Sequence, residues 1–427
     1  MSARLKKLHF VNIGVYWCQY IVLCCLFNLE SKIHMNFDTS CFSQFDLPSE
    51  VINQISAAWQ YSQPSFPKDG VYFLQEDYLR EMTEMTKLQT EAVPIFMECG
   101  AKIRENEALA RLAWHCHWML HIASHKLQEI GVPWRITPLD CTFFPAIVNL
   151  AAFPHVEAWY RQRGIPENVL RDSLSVVSVW TQYYLEQNGR WGCDKSWMSN
   201  HVVPRIFRLH RLEFEFSSYH SPFKIYRHDG DGRLAMLAPP DQKVFSDGFF
   251  CQADQEASYV TTFSETETSV TGYPALPNGR LANQTVTLPL NEWSLCARPG
   301  DPMLGVHIPA VDPLDYEECR AAIEQARDFF PRYCPEFKFK GFACGSWLLD
   351  PTLQDFLPKT SNIVRFQSLF NLYPSPDGND WQTRERVFGN PDLSLDSVPM
   401  KTSLQRIVHD QILNGHRFRS GCMFLPR

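Results

Sequence analysis

The spacing of the apolar residues changes near residue 211, and this change constrains the fold more than any other feature. From about 47 to 205 the apolar residues recur at the three- and four-residue intervals of amphipathic helices. Residues 211–216 (RLEFEF) then alternate with the period of two that is typical of a strand. A chain of 427 residues is also longer than the roughly 250–300 residues over which a single core keeps growing. The sequence therefore predicts an α+β protein, with a helical domain followed by a mixed α/β sheet domain.

The domain boundaries follow from this change of period. We predict an apolar N-terminal extension, a helical domain, a sheet domain, and a C-terminal loop with a helix, over residues 1–34, 45–205, 206–390 and 391–427. Within the helical domain, residues 74–101, 107–130, 153–163 and 166–188 have helical spacing.

The sheet domain begins with antiparallel strands and a hairpin and continues as a strand–helix–strand unit. Apolar runs predict strands over 303–308, 337–349 and 363–373. An amphipathic helix over 313–330, capped by Asp312 with Pro313 in its first turn, separates the first two of these strands. A loop is predicted over 374–402, and a helix over 402–414.

The N-terminal extension has a basic flank followed by an apolar stretch over residues 8–29. This stretch is long enough to span a bilayer, but polar residues interrupt it and no small-residue cleavage site follows. We interpret it as an upstream extension or a peripheral apolar segment, with a membrane anchor as the alternative. Elsewhere no span is predicted, so we expect no membrane association.

Charge and cysteine usage argue against a nucleic-acid-binding protein and against a disulfide-stabilised protein. The net charge is −7 without a long basic run, so nucleic-acid binding is not expected. The 14 cysteines are scattered and form no CxxC pair, which is typical of a reducing compartment and predicts a cytoplasmic protein.

Histidines recur at four-residue spacing at 117, 121 and 125, beside His115 and Cys116. Two histidines at this spacing can bind zinc or copper. No HExxH carboxylate accompanies them and no fourth ligand is visible in the sequence. We interpret the group as a histidine-rich helix face and predict no metal.

Several motifs resemble a known protein family. Residues 163–166 (RGIP) and 207–214 (FRLHRLEF) resemble the N-terminal half of a bacterial acyltransferase family. Residues 300–310 (GDPMLGVHIPA), 346–351 (SWLLDP) and 361–363 (SNI) resemble its GNAT-like C-terminal domain. The resemblance extends from about 45 to 390. It implies a helical N-acyltransferase N-terminal domain and transfer of an acyl group from a thioester donor to an amine or hydroxyl.

The resemblance also implies where the site lies. In a GNAT-type site two parallel strands splay apart, and the donor's pantetheine arm enters between them. The strand order makes 303–308 and 339–347 these two strands, so Val306, Ile308 and Trp347 are expected to bind the donor, with a place in the core as the alternative for Trp347. The donor is acyl-CoA or an acyl-carrier protein, and the acceptor is a small molecule or a peptide.

Three residues are candidates for catalysis. His307 could deprotonate the acceptor, since imidazole is the usual general base near neutral pH, although a histidine bonded to backbone at a strand end is an equal alternative. Glu267, two residues after Glu265, could act as a base, but a solvated strand end explains it as well. Ser346 could accept the acyl group, or it could be a small buried strand residue.

The segment 307–313 departs from the glycine-rich loop of GNAT enzymes. It contains no glycine, and Pro309 and Pro313 remove two amide donors. Acidic residues at 315, 317 and 318 would repel a pyrophosphate. We therefore expect free CoA to bind weakly. A carrier-protein donor, or a non-catalytic ligand- or protein-binding module on a GNAT scaffold, remains an alternative.

Overall fold

The computed structural model describes residues 40–45, 47–56, 59–122, 136–251, 256–376 and 379–427. The predicted extension over 1–34 lies outside these residues. In the part of the chain that is described, no helix combines the length and the apolar character needed to cross a membrane.

The N-terminal half is helical, as the sequence predicts, but its helices are short. They are α1 Ser49–Ser56, α2 Trp59–Ser62, α3 Glu76–Met85, α4 Val93–Glu105, α5 Glu107–His117, α6 Phe144–Leu150, α7 Phe153–Arg163, α8 Glu167–Leu174, α9 Val176–Asn188 and α10 Ser199–Val202.

Two of the predicted long helices are interrupted, and each interruption has a local cause. The segment 166–188 breaks at Ser175, whose hydroxyl bonds back to the Asp172 carbonyl and competes with the helical ladder. The segment 74–101 breaks at Lys87, which has a left-handed backbone (φ 51). Pro94 then lies in the first turn of α4, where a missing N–H has no cost.

The C-terminal half contains all of the described strands. They are β1 Ile206–Leu209, β2 Leu212–Ser218, β3 Lys224–His228, β4 Leu234–Leu237, β5 Lys243–Val244, β6 Tyr259–Val260, β7 Phe263–Glu265, β8 Ser269–Gly272, β9 Val286–Pro289, β10 Trp293–Ala297, β11 Pro302–His307, β12 Gly341–Ser346, β13 Asn371–Pro374 and β14 Gly421–Pro426. The helices among them are α11 Tyr316–Tyr333, α12 Leu353–Phe356, α13 Asn362–Gln367, α14 Trp381–Phe388 and α15 Ser403–Leu413.

The main sheet has six strands in the order β1-β2-β11-β12-β14-β13. Only β11 and β12 are parallel, and α11 connects them. The other pairs of this sheet are antiparallel. This is the predicted strand–helix–strand unit, because a parallel pair needs a crossover connection.

The two faces of β2 differ in character because its side chains alternate. Phe214 and Phe216 pack against Phe330 of α11, in a core that also contains helical-domain residues. Glu213 and Glu215 lie on the opposite face. The strand therefore places two carboxylates on one side of the sheet and an aromatic core on the other.

The C-terminal part of the sheet differs from the prediction. The expected strand over 363–373 is helix α13 followed by β13, because Ser361 caps the helix by accepting a hydrogen bond from Val364. The predicted loop over 374–402 contains α14. A strand that was not predicted, β14, lies between β12 and β13, beyond the expected boundary at 390.

Asp350 is a buried polar junction behind β12. Its carboxylate is 0% exposed and accepts hydrogen bonds from the Thr352 amide (2.9 Å), the Thr352 hydroxyl (2.7 Å) and the Arg419 amide (2.7 Å). These bonds tie the end of β12 to the start of β14.

Replacing Asp350 by asparagine should reduce the free energy of unfolding by about 1–3 kcal/mol, since an amide NH₂ would face a buried donor. The measurement is urea denaturation followed by circular dichroism. Asp355→Asn is the control, because Asp355 is half-exposed and binds Arg280 at the surface. Equal stability of the two variants would contradict this role.

Candidate active site

A fork between β11 and β12 is the main feature of the sheet. The two strands pair only through Leu304 with Phe342 and Gly305 with Ala343. Beyond these pairs β11 continues along β2 to His307, while β12 continues along β14 to Ser346. The two strands therefore diverge at their carboxyl ends, where each remains held by its outer neighbour.

The main-chain groups that face this fork can be assigned from the hydrogen-bond pattern. The Tyr219 amide donates to the Asp301 carbonyl, so odd-numbered residues of β11 face β2 and even-numbered residues face β12. The Arg427 amide donates to the Lys340 carbonyl, so odd-numbered residues of β12 face β11. The Val306 carbonyl and the Gly345 amide are thus directed into the fork.

The space between the diverging strands is open because the residues that border it, Gly305 and Gly345, have no side chains. Gly345 is exposed, and a Cβ added there would approach only Cys422 Sγ, at 3.8 Å. Gly305 lies on the same side of β11 as His307. A chain with amide groups could therefore lie between the strands.

His307 is the last residue of β11 and is bound on two sides. Its Nε2 lies 2.9 Å from Glu215 Oε2, and its ring packs edge-on against Trp197, with the centroids 4.8 Å apart. The imidazole is partly exposed, at 32%. Within the described residues no hydrogen bond engages Nδ1, which leaves this atom available to a substrate.

Glu215 is an ionised partner for His307. Burial opposes its ionisation, but the hydrogen bond from His307 and the charge of Arg205 outweigh this effect and lower the pKa of Glu215. Arg205 donates to the second oxygen, Oε1, at 3.1 Å. A carboxylate fixed in this way orients the imidazole and stabilises its protonated form.

A second histidine–carboxylate pair lies behind the first. Glu213 is 2% exposed, and its Oε2 is 3.4 Å from Nε2 of His201, which is fully buried in α10. Burial alone would raise the pKa of Glu213, but His201 and His307 outweigh it, so that the pKa is lowered. This pair joins the helical domain to β2.

Replacing Glu213 by glutamine should make stability less sensitive to acid. The folded-state pKa lies below the ordinary value of 4.5, so this carboxylate stabilises the fold above that pH and loses its contribution as the pH falls further. The difference in the free energy of unfolding between the native protein and the variant should therefore become smaller as the pH falls from ~7 to ~3.5. Urea denaturation midpoints at several pH values measure this difference. Asp410→Asn, at an exposed carboxylate of α15, is the control. A constant difference would contradict the prediction.

The three predicted donor-binding residues differ in their position relative to the fork. Val306 has a buried side chain, so only its backbone faces the fork. Ile308 follows β11 directly and is half-buried. Trp347 follows β12 directly and packs against a separate hydrophobic cluster that includes residues of α14 and α15. Donor binding by these three residues stays a prediction.

The predicted catalytic residues are likewise separated. Ser346 ends β12 at the fork, and its hydroxyl accepts a hydrogen bond from the Leu348 amide at 3.2 Å. Glu267 is exposed in the turn between β7 and β8, in a different three-stranded sheet. Only His307 has a carboxylate partner at the fork.

The segment between β11 and α11 differs in detail from the prediction. The N-cap is Asp315, not Asp312, because its side chain accepts a hydrogen bond from the Glu318 amide at 3.0 Å. Buried Arg211 holds the segment by donating to the carbonyls of Asp312 and Pro313. The acidic first turn is also neutralised in part.

The groups that contact this turn lie in three different parts of the chain. Arg320 binds Glu317 at 2.9 Å, and His210 lies 3.1 Å from Glu318. Arg365 of α13 stacks on Tyr316, its guanidinium carbon 4.4 Å from the ring centroid. The negative field expected at this turn is therefore weaker than the sequence alone suggests.

Sequence reasoning missed Glu213, Glu215, His201, Trp197 and Arg205. The available signal was the alternation in residues 212–216, which puts two carboxylates on one strand face beside a histidine-bearing strand. Their partners come from other elements, which the spacing does not reveal.

The histidine-rich segment can be assessed only in part. His115 is buried, with Nδ1 2.7 Å from Ser62 Oγ and Nε2 3.0 Å from the Ile55 carbonyl. His117 is buried among aromatic rings. His125 and the side chain of His121 lie outside the described residues. Among the side chains that are described, no group of three potential ligands could hold a metal ion. Absence of a metal stays a prediction.

Two diverging parallel strands joined by a helix, after a helical N-terminal region, form a GNAT-like fold. The family model for the GNAT-like C-terminal domain matches residues 206–425, more than half of the chain, and the chain belongs to this family. The model for the N-acyltransferase N-terminal domain matches residues 77–203.

Solved structures of acyltransferases share this fold. One is an acyltransferase in complex with decanoyl-CoA and teicoplanin, with 20% identity, coverage of 92% of this chain and 99% of that one, and a TM-score of 0.61. Another, in complex with CoA and 10C-teicoplanin, has the same identity, coverage and TM-score. No curated protein matches the chain.

Proposed function

We propose that this protein transfers an acyl group from acyl-CoA to an amine or hydroxyl of a small molecule. The observation that carries the proposal is the fork between β11 and β12, with the His307–Glu215 pair at its end. Family membership supports acyl transfer, and the acyl-CoA and CoA bound to similarly folded acyltransferases support the donor.

In this proposal the donor's pantetheine arm lies between the strands and bonds to the Val306 carbonyl and the Gly345 amide. His307 Nδ1 accepts the proton of the acceptor as its nitrogen or oxygen attacks the thioester carbonyl carbon. Glu215 stabilises the imidazolium. Collapse of the tetrahedral intermediate breaks the C–S bond, and the proton passes to the CoA thiolate. The products are CoA and an amide or ester.

The acceptor class rests on the similarly folded structures. One of them is a complex with decanoyl-CoA and teicoplanin, so a small-molecule acceptor is the first choice for this chain. A peptide amine and an acyl-carrier donor remain candidates. The scattered free cysteines of the described residues support a cytoplasmic location.

The test combines the purified full chain with acetyl-, octanoyl- or decanoyl-CoA and a panel of amines, peptides, amino sugars and teicoplanin. Thiol release is followed spectrophotometrically, and the acylated product is identified by mass spectrometry. We expect acceptor-dependent thiol release that His307→Gln strongly reduces and His409→Gln retains, since His409 lies on α15 beside Asp410. Release without an acylated product would reject transfer.

A non-catalytic binding module is the second candidate, and the segment between β11 and α11 favours it. The Asp315 side chain already accepts the hydrogen bond of the Glu318 amide, and Pro309 and Pro313 have no main-chain N–H to donate. Each lost bond to a charged phosphate forfeits ~1.5–3 kcal/mol. Free CoA should then bind weakly, and an acyl-pantetheine fragment should bind almost as well as acetyl-CoA. Calorimetric titration of both ligands measures this. Acetyl-CoA that binds a thousandfold tighter than the fragment would show that the phosphates are held.

A further inference from the structure

Glu213 is a buried ionised carboxylate that the mechanism above does not use. It is 2% exposed, and its Oε1 has no hydrogen-bond partner among the described residues. Its Oε2 lies 3.4 Å from Nε2 of His201. Because Glu213 is buried, its charge acts on neighbouring groups with little screening by solvent.

The position of Glu213 relative to the proposed base is fixed by the sheet register. Glu213 is the direct partner of His307 across the β2–β11 pair, and directly paired residues of antiparallel strands share one face. Glu215 is two residues farther along the same face of β2 and binds His307 directly. His307 thus lies against two carboxylates, of which only one forms a hydrogen bond with it.

We propose that Glu213 is a positioning residue for His307, acting as a buried counter-charge that favours the protonated imidazole, and that His201 holds Glu213 in place. This inference rests on the proposed function, in which His307 is the base. In this inference the helical domain contributes to the site, because His201 lies on α10.

The two carboxylates are suited to different tasks. Glu215 is partly exposed and shares its charge with Arg205, so its field at His307 is reduced by solvent and by the guanidinium. Glu213 lies where the effective dielectric constant is low, so its charge acts on the imidazole with little screening. The other titratable or charged groups acting on these carboxylates are Arg205, Arg208, His201 and His220.

A structural role alone makes a different prediction. If Glu213 only joins the two domains, replacing it will lower stability and leave the titration of His307 unchanged. If it is a counter-charge, its neutral isostere will make His307 harder to protonate.

The experiment is an NMR pH titration of the full chain labelled with ¹³C and ¹⁵N in histidine, with the His307 signal assigned by its loss in His307→Gln. In Glu213→Gln the titration midpoint of His307 should fall by about one pH unit, the lower end of the effect of a nearby opposite charge. In His201→Gln the His307 midpoint should also fall, but by less, because the carboxylate stays and only loses the partner that helps to keep it ionised. Asp410→Asn should leave the titration midpoint of His307 unchanged.

Thermal unfolding of each variant shows whether it is folded. If Glu213→Gln does not fold, His201→Gln decides the question, because it retains the carboxylate and changes only its support. An unchanged midpoint in a folded variant overturns the inference. The titration requires no acyl transfer, so its failure is distinguishable from failure of the proposed function, which the thiol-release assay reports separately.

Discussion

Replacing His307 by glutamine should lower kcat by ~10²–10⁴, the usual contribution of a positioned general base. Glutamine is close in size and can still donate a hydrogen bond to Glu215, so the fork should keep its shape. KM for acyl-CoA should change little, since the donor contacts main-chain groups of Val306 and Gly345. Steady-state thiol release with saturating acceptor measures both constants.

The matched control is His409→Gln, which changes a histidine that also contacts a carboxylate but lies on α15. Its kcat should remain at the native value. A His307→Gln enzyme with native kcat would show that the imidazole is a structural group at the end of β11, which was the alternative reading of this residue.

Replacing Gly421 by alanine should destabilise the protein by about 3 kcal/mol or more, at or beyond the upper end of the usual cost of overpacking. Gly421 begins β14 and pairs with Ser346 on one side and Pro374 on the other. A Cβ at this position would overlap the carbonyl of Leu349, and that carbonyl belongs to a main-chain turn that cannot rotate away. Urea denaturation of both proteins measures the difference.

Gly345→Ala is the control for this substitution. Gly345 lies in the adjacent strand, and the added Cβ would meet only Cys422 Sγ at an ordinary contact distance of 3.8 Å. Its stability should remain within about 1 kcal/mol of the native protein. Native stability of Gly421→Ala would mean that the end of β14 can move away from Leu349.

The fold class and the two diverging strands were predictable because their signals are local. The alternation in residues 212–216 and the apolar run that became β11 each occur within one segment. The crossover helix α11 has helical periodicity of its own, although its start was placed three residues too early. Asp312 and Asp315 are both plausible caps in the sequence, and only the hydrogen bond to the Glu318 amide distinguishes them.

The C-terminal strand β14 could not be predicted with the same reasoning. It has six residues and follows a helix, and its sequence GCMFLP has no alternation. It is a strand because β12 pairs with it along its whole length and β13 pairs with residues 421–424 on its other side. Its position inside the sheet is a property of the whole domain.

By itself, the sequence determined the helical and sheet halves, the order of strand, helix and strand, and His307 as the residue to examine. The tertiary structure alone decided that Glu213 and Glu215 face His307, that α10 supplies His201 beside them, and that Glu267 lies elsewhere. The physical reason is the separation in sequence of the residues that interact. Periodicity and capping depend on residues a few positions apart, whereas the contact between His307 and Glu215 joins residues separated by 92 positions.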